Sequence, residues 1–222
     1  PSAAPARGQN WRASAQARPV NAALVANLLD VLGELDAPAL RAAAVGKFAA
    51  RPEVFNPVTV LVPALAVIRA WDAAVQQLWE HCAEFLLRRS EHPPSAPTDW
   101  RQDVKISGCA CADCRELQAF SLDPVEQTHR FRVRQDRRQH LHQQIEHHDL
   151  GMTHVTDRKG SPQTLVCTKD RRAYQRRCEQ YLKDIAALAS LEEQAGKVPA
   201  GNQRELKRIA AVRALAAGWS PA

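Results

Sequence analysis

Three cysteines fall within the run Cys109-Ala-Cys111-Ala-Asp-Cys114, a density of thiols that core packing does not require. Thiolate sulfur and imidazole nitrogen are the ligands zinc prefers, four of them at the corners of a tetrahedron. Cys111-x-x-Cys114 is a metal knuckle, and Cys109, two residues earlier, projects to the same side as Cys111 if the backbone there is extended. The fourth ligand has to come from the downstream histidines His140, His142, His147, His148 and His154. His140 ranks first, His142 second and His154 third, because His140 lies on a predicted helix beside Leu141 and Ile145, which can dock it. A catalytic zinc keeps one position open for water, and three thiolates make the ion a poor polariser of that water. The expected cofactor is therefore a structural Zn2+ held by Cys109, Cys111, Cys114 and His140, with no catalytic residue.

Other chemistry is weaker. His147-His148-Asp149 contains a His-x-Asp triplet, but a two-histidine, one-carboxylate iron site needs a distal histidine on a β-rich barrel that this chain has too few strands to build. No G-x-S-x-G, Walker-type or G-x-G-x-x-G run occurs. Cys82, Cys167 and Cys178 sit in apolar or helical patterns and read as small buried hydrophobes.

The net charge of +6 is concentrated in the second half. Arg130, Arg132, Arg134, Arg137, Arg138, Arg158, Lys159, Lys169, Arg171 and Arg172 are followed closely by Arg176 and Arg177. Such a patch attracts phosphate through its field and through counterion release, and guanidinium suits bidentate contacts. The plain alternative is a solvated helix face. Only Phe131, Tyr174 and Tyr181 are interleaved with these cations, so contact with a duplex backbone is expected rather than base stacking.

The elements that must position these groups follow from periodicity. The expected fold class is mainly α: helical hairpins or a solenoid-like bundle over 20–90, then a small α+β zinc-stapled module over 100–195 with a β-hairpin and a long helix. Residues 1–19 lack periodicity and read as a flexible lead-in, 91–99 as a proline-rich linker, and 196–222 as a C-terminal helix and tail. Leu24, Leu28, Val31 or Leu32, and Leu35 mark the buried face of a first helix, and Leu40, Ala44, Val45 and Phe48 that of a second. Leu61 to Phe85 reads as one long amphipathic helix with Pro63 in its first turn and an exposed tryptophan-bearing side. Val104–Ile106 and Phe131–Val133 are short predicted strands. A helix follows over 135–148, and Thr153–Thr156 and Thr164–Thr168 pair across a basic tip at Arg158-Lys159-Gly160. A long helix carries Tyr174 to Leu188 and a last one Leu206 to Leu215.

A chain of 222 residues that starts on Pro1 and has Met152 as its single methionine reads as a piece of a longer polypeptide. It has no run of about 18 apolar residues and no signal-peptide pattern, so no membrane partner is expected. Closely spaced thiols point to a reducing, intracellular compartment.

Four stretches also carry a family resemblance. They are Phe85-Leu-Leu-Arg-Arg-Ser-Glu-His-Pro-Pro, Cys109-x-Cys111-x-x-Cys114-Arg-Glu-Leu-Gln-Ala-Phe, Arg137-Arg-Gln-His140-Leu-His and Thr156-x-Arg158-x-Gly160-Ser-Pro-x-Thr-Leu-Val-x-Thr168-Lys169. Over about residues 60–190 the chain resembles a C-terminal module of large proteins labelled as 2-oxoglutarate- and Fe(II)-dependent oxygenases of the prolyl-hydroxylase type. The resemblance implies Cys109, Cys111, Cys114 and His140 as zinc ligands, with the facial triad and the 2-oxoglutarate-binding arginine outside this chain. The expected function is thus a non-catalytic zinc-binding accessory region that binds nucleic acid through its arginine-rich surface. The alternative is a scaffold for a protein partner, or for the missing part of the same polypeptide as a regulatory region of a larger oxygenase.

Overall fold

A computed structural model describes residues 20–197 and 202–221. The predicted lead-in at 1–19 and the Pro199 and Gly201 breakers lie outside them. The described residues are mainly helical with one small antiparallel sheet, and they divide into two compact units. Of the described residues, one unit contains 20–93 together with 180–197 and 202–220, and the other contains 94–179.

The first unit begins with α1 (Ala22–Glu34), whose N-terminus is capped by the Asn21 side chain accepting from Leu24 N at 2.9 Å. Pro38 opens α2 (Pro38–Ala49), a position where its missing N–H does no harm. A π-helical turn (Pro57–Leu61) capped by Asn56 runs into α3 (Val62–Val67), with Pro63 in the first turn. The next helix is α4 (Ala73–Arg89), capped by Asp72 accepting from Val75 N at 3.0 Å. The core gathers Leu29, Val45, Leu61, Leu65, Leu78, Trp79, Leu86, Leu188, Leu191 and Ile209.

Three expectations change here. The predicted stripe of α1, Leu24, Leu28, Val31 and Leu35, faces solvent, and Val25, Ala26, Leu29 and Asp30 are buried instead. The helix is apolar on both sides, so periodicity alone could not choose. Asp30 decides it, accepting from Arg69 N and Arg69 Nε, each at 3.1 Å. Those bonds also explain why the predicted long helix is two: Ile68 turns to extended backbone, and α4 restarts only at Asp72. Finally, Trp79 is completely buried and donates to Leu191 O at 3.2 Å, so the tryptophan side of α4 is core and not an exposed surface.

The C-terminal residues correct the predicted boundaries. Ala187, Leu188 and Leu191 of α7 (Arg172–Glu193) and Ile209 of α8 (Gln203–Ala217) belong to the core of the first unit. Arg89 clamps Asp184 with both Nε and Nη2, at 2.6 and 2.5 Å. Residues 180–197 and 202–220 therefore belong to the first unit, neither to the unit that carries the cysteines nor to a separate tail.

The second unit contains α5 (Ala112–Leu122), β1 (Thr128–Arg132), α6 (Gln135–His147), β2 (Met152–Asp157) and β3 (Thr164–Lys169). The strands lie in the order β1-β3-β2, all antiparallel, with Phe131 opposite Leu165 and His154 opposite Cys167. Alternation sends Phe131, Leu165, Cys167 and Met152 into a core completed by Leu117 and Phe120 of α5 and Leu141 and Ile145 of α6. Val104 and Ile106 pack on this core without forming the predicted strand. The Gln118 carboxamide takes the place of a neighbouring strand, accepting from Ile106 N at 2.7 Å and donating to Val104 O at 2.8 Å.

Candidate metal centre

Cys111 ends an extended approach, with φ −66° and ψ 166°, and caps α5: its sulfur accepts from Cys114 N at 3.4 Å. The cap places Cys114 in the first turn beside Cys111, while Leu117 and Phe120 anchor the rest of α5 in the core. On α6, Leu141 and Ile145 dock in the same core, which turns His140 towards the knuckle. His140 Nε2 lies 3.1 Å from Cys114 Sγ and 3.7 Å from Cys111 Sγ. With Cys109, the four ligand atoms all lie within 4.8 Å of one another.

Zinc–sulfur bonds of about 2.3 Å and zinc–nitrogen bonds of about 2.0 Å in a tetrahedron imply ligand-to-ligand edges of about 3.5–3.8 Å. The cluster brackets that size and fits one ion. The sulfurs differ electrically. The Cys114 N–H, helped by hydrogen bonds from Cys114, Cys109 and His140, outweighs burial and brings the Cys111 thiol down to about 7. Burial and the two neighbouring sulfurs push Cys114 up to about 12. Cys111 is thus the readier thiolate, and an ion has to displace the proton of Cys114.

A further contact supports the site. Asp113, buried between the candidate ligands Cys111 and Cys114, receives both Nε and Nη2 of Arg137, with Nε to Oδ2 at 2.6 Å. Arg137 stands one turn before His140, so this fork ties the start of α5 to the part of α6 that carries His140. It also holds the Arg137 pKa above its ordinary value, chiefly through the hydrogen bond to Asp113. The signal was an acid inside C-x-x-C followed by an arginine three residues before the histidine, and spacing alone could not pair them.

The other histidines do not join the cluster. His142 and His154 face each other, Nδ1 to Nδ1 at 2.5 Å, and His148 Nε2 is 3.1 Å from Ser107 O. Asp149 lies 3.4 Å from Arg176 and makes no site with His147. Cys82, Cys167 and Cys178 are buried, as small hydrophobes would be.

The ten basic residues named from the sequence are not all free at the surface. Lys169 is only 1% exposed; its ammonium donates to Asp123 O at 2.6 Å and lies 4.5 Å from the centre of the Phe120 ring. Burial lowers its pKa. Arg138 is buried as well, and Arg137 is committed to Asp113. Arg172 bonds Asp170 and Met152 O, and Arg171 stacks on Trp100 at 4.8 Å. Arg130 faces solvent but reaches Asp157 at 2.8 Å, and Arg134 is 3.8 Å from Asp136. Arg132, Arg158 and Lys159 are exposed.

The structure therefore brings together the four metal candidates, buries two of the cations and pairs several others. Among the described residues no helix is long and apolar enough to cross a membrane. In comparisons with known proteins, the chain matches no family, no curated protein and no solved structure.

Proposed function

We propose that residues 94–179 form a non-catalytic, zinc-stapled module that binds the backbone of duplex nucleic acid through the solvent face of its sheet. The zinc assignment is supported by the ligand set: three thiolates and one imidazole whose ligand atoms lie within 4.8 Å of one another would close a tetrahedron around one ion and leave no position for substrate. The nucleic-acid assignment is supported by the outer sheet face. In register, Thr128, Thr168 and Thr153 form one row, Arg130, Val166 and Val155 the next, and Arg132, Thr164 and Asp157 the third. Guanidiniums and hydroxyls there are phosphate donors, a single carboxylate is present, and no aromatic ring offers a stacking platform.

Anisotropy titration of the full chain with a labelled duplex tests this. The expected result is binding at low ionic strength that weakens steeply with salt, and a shallower salt slope in Arg130→Ala/Arg132→Ala. Absence of binding at low salt rejects the nucleic-acid reading and leaves the zinc reading intact.

A second reading is favoured by one observation in the first unit. Leu24, Leu28, Val31 and Leu35 form an exposed stripe along and just beyond α1, with three- and four-residue steps. Such a stripe suits an apolar helix from a protein partner or from another part of the polypeptide. Leu28→Glu should abolish capture of that partner without changing metal content, and unchanged capture would remove this reading.

A further inference from the structure

Arg138 is anomalous among the arginines. Its side chain is buried, yet its guanidinium donates only to neutral acceptors: Val133 O at 2.8 Å, Gln163 O at 3.4 Å and Gln163 Oε1 at 2.9 Å. Among the described residues no carboxylate pairs with it, whereas the buried guanidinium of Arg41 is met by Asp72 at 2.8 Å. Arginine cannot shed its proton, so a buried, unbalanced positive charge persists there.

The surroundings of Arg138 extend the pattern. It lines an open hollow of about 460 Å³ with Gln135, Gln139, His142, Thr156, Arg158 and Gln163, and no acid is among them. Arg158 is exposed, and among the described residues its side chain has no hydrogen-bond or ion-pair partner. The imidazoles can present a donor to this space. If His154 Nδ1–H donates to His142 Nδ1, 2.5 Å away, the neutral His142 carries its proton on Nε2 and donates it to Thr156 Oγ1 at 3.4 Å. The Thr156 hydroxyl proton is then free to point into the hollow.

We propose that this hollow binds a tetrahedral oxyanion of the phosphate class. Arg138 is its fixed counter-charge, Arg158 its clamp from the loop after β2, and Thr156 and the carboxamide of Gln139 its neutral donors. The site goes beyond the sheet-face reading. It stands on the missing counter-charge of Arg138, and it would hold a free phosphate ester or a backbone phosphate by the same contacts.

The test is an NMR titration of the metal-loaded full chain with inorganic phosphate, at ionic strength held constant with chloride, following Arg138 Nε–H and the Thr156 amide. Phosphate is expected to shift both signals saturably. Arg158→Ala, an exposed change that spares the fold, is expected to weaken the apparent affinity at least about tenfold. Displacement of phosphate by a duplex oligonucleotide would identify the backbone as the source. Saturable phosphate binding that a duplex does not displace would identify a free phosphate ester. Shifts that rise linearly without saturating, or saturable shifts unchanged in Arg158→Ala, would overturn the proposal. Neither result would bear on duplex binding by Arg130 and Arg132.

Discussion

The two units solve the problem of stability with different materials. The first fills its interior with Trp79, five leucines of the π-turn, α3 and α4, and side chains from α7 and α8, and its half-buried ion pairs join parts far apart in sequence. The second encloses about ten apolar residues and surrounds them with polar ties: Gln118 in place of a strand, Asp113 to Arg137, Lys169 to Asp123 O, and the cysteine–histidine cluster. A small core supplies little net stability, so small domains depend on metals or other cross-links. The difference teaches that the metal candidates lie where burial is least able to hold the chain.

The largest expected effect separates the units directly. Structural zinc contributes on the order of 10 kcal/mol to folding of a small metal module. Chelation, or Cys114→Ser, should therefore abolish protection of amides in β1, β2 and β3 while amides of α3 and α4 stay protected in hydrogen exchange. Equal loss in both units would break the comparison. Conversely, Trp79→Ala leaves a large cavity and should destabilise the first unit by about 3–5 kcal/mol in a denaturant titration, with metal content unchanged. Loss of metal in that variant would contradict the division of labour.

A smaller effect probes the fork beside the ligands. Asp113→Asn keeps the shape but weakens the hold on Arg137, and it should lower metal affinity about tenfold in a chelator competition. The smallest concerns His129. Burial acts to lower its pKa, but its hydrogen bonds to Glu126 at 2.7 Å and Glu116 at 2.9 Å outweigh this and raise it above the ordinary value. Its folded pKa is higher than its unfolded one, so its stabilisation is complete below about pH 6.5 and is lost as pH rises through the folded value. The stability difference between the native chain and His129→Gln should thus be larger at low pH than at high pH. A difference independent of pH would show that pairing with Glu116 and Glu126 does not stabilise the fold.

These contrasts also explain what the sequence could and could not show. Cys111-x-x-Cys114 was legible because its geometry is local: one helix cap sets both sulfurs. His140 was legible because Leu141 and Ile145 beside it fix which way α6 docks. Which of the basic residues are committed elsewhere was not legible, because a list of arginines does not reveal partners such as Asp113 for Arg137 or the Asp123 carbonyl for Lys169. The helix break at Ile68 depends on Asp30, thirty-nine residues from Arg69, and the buried face of α1 depends on the same bond. The C-terminal helices joined the first unit through Asp184 and Leu191, contacts with α4 that no periodicity encodes.

The central claim is that Cys109, Cys111, Cys114 and His140 hold one structural metal ion. X-ray absorption on the purified full chain, with metal quantified in the same sample, tests it most directly. The account predicts one zinc per chain with three sulfur neighbours at about 2.3 Å and one nitrogen at about 2.0 Å. A chain that folds its sheet without metal, or an ion surrounded mainly by oxygen and nitrogen, would contradict it.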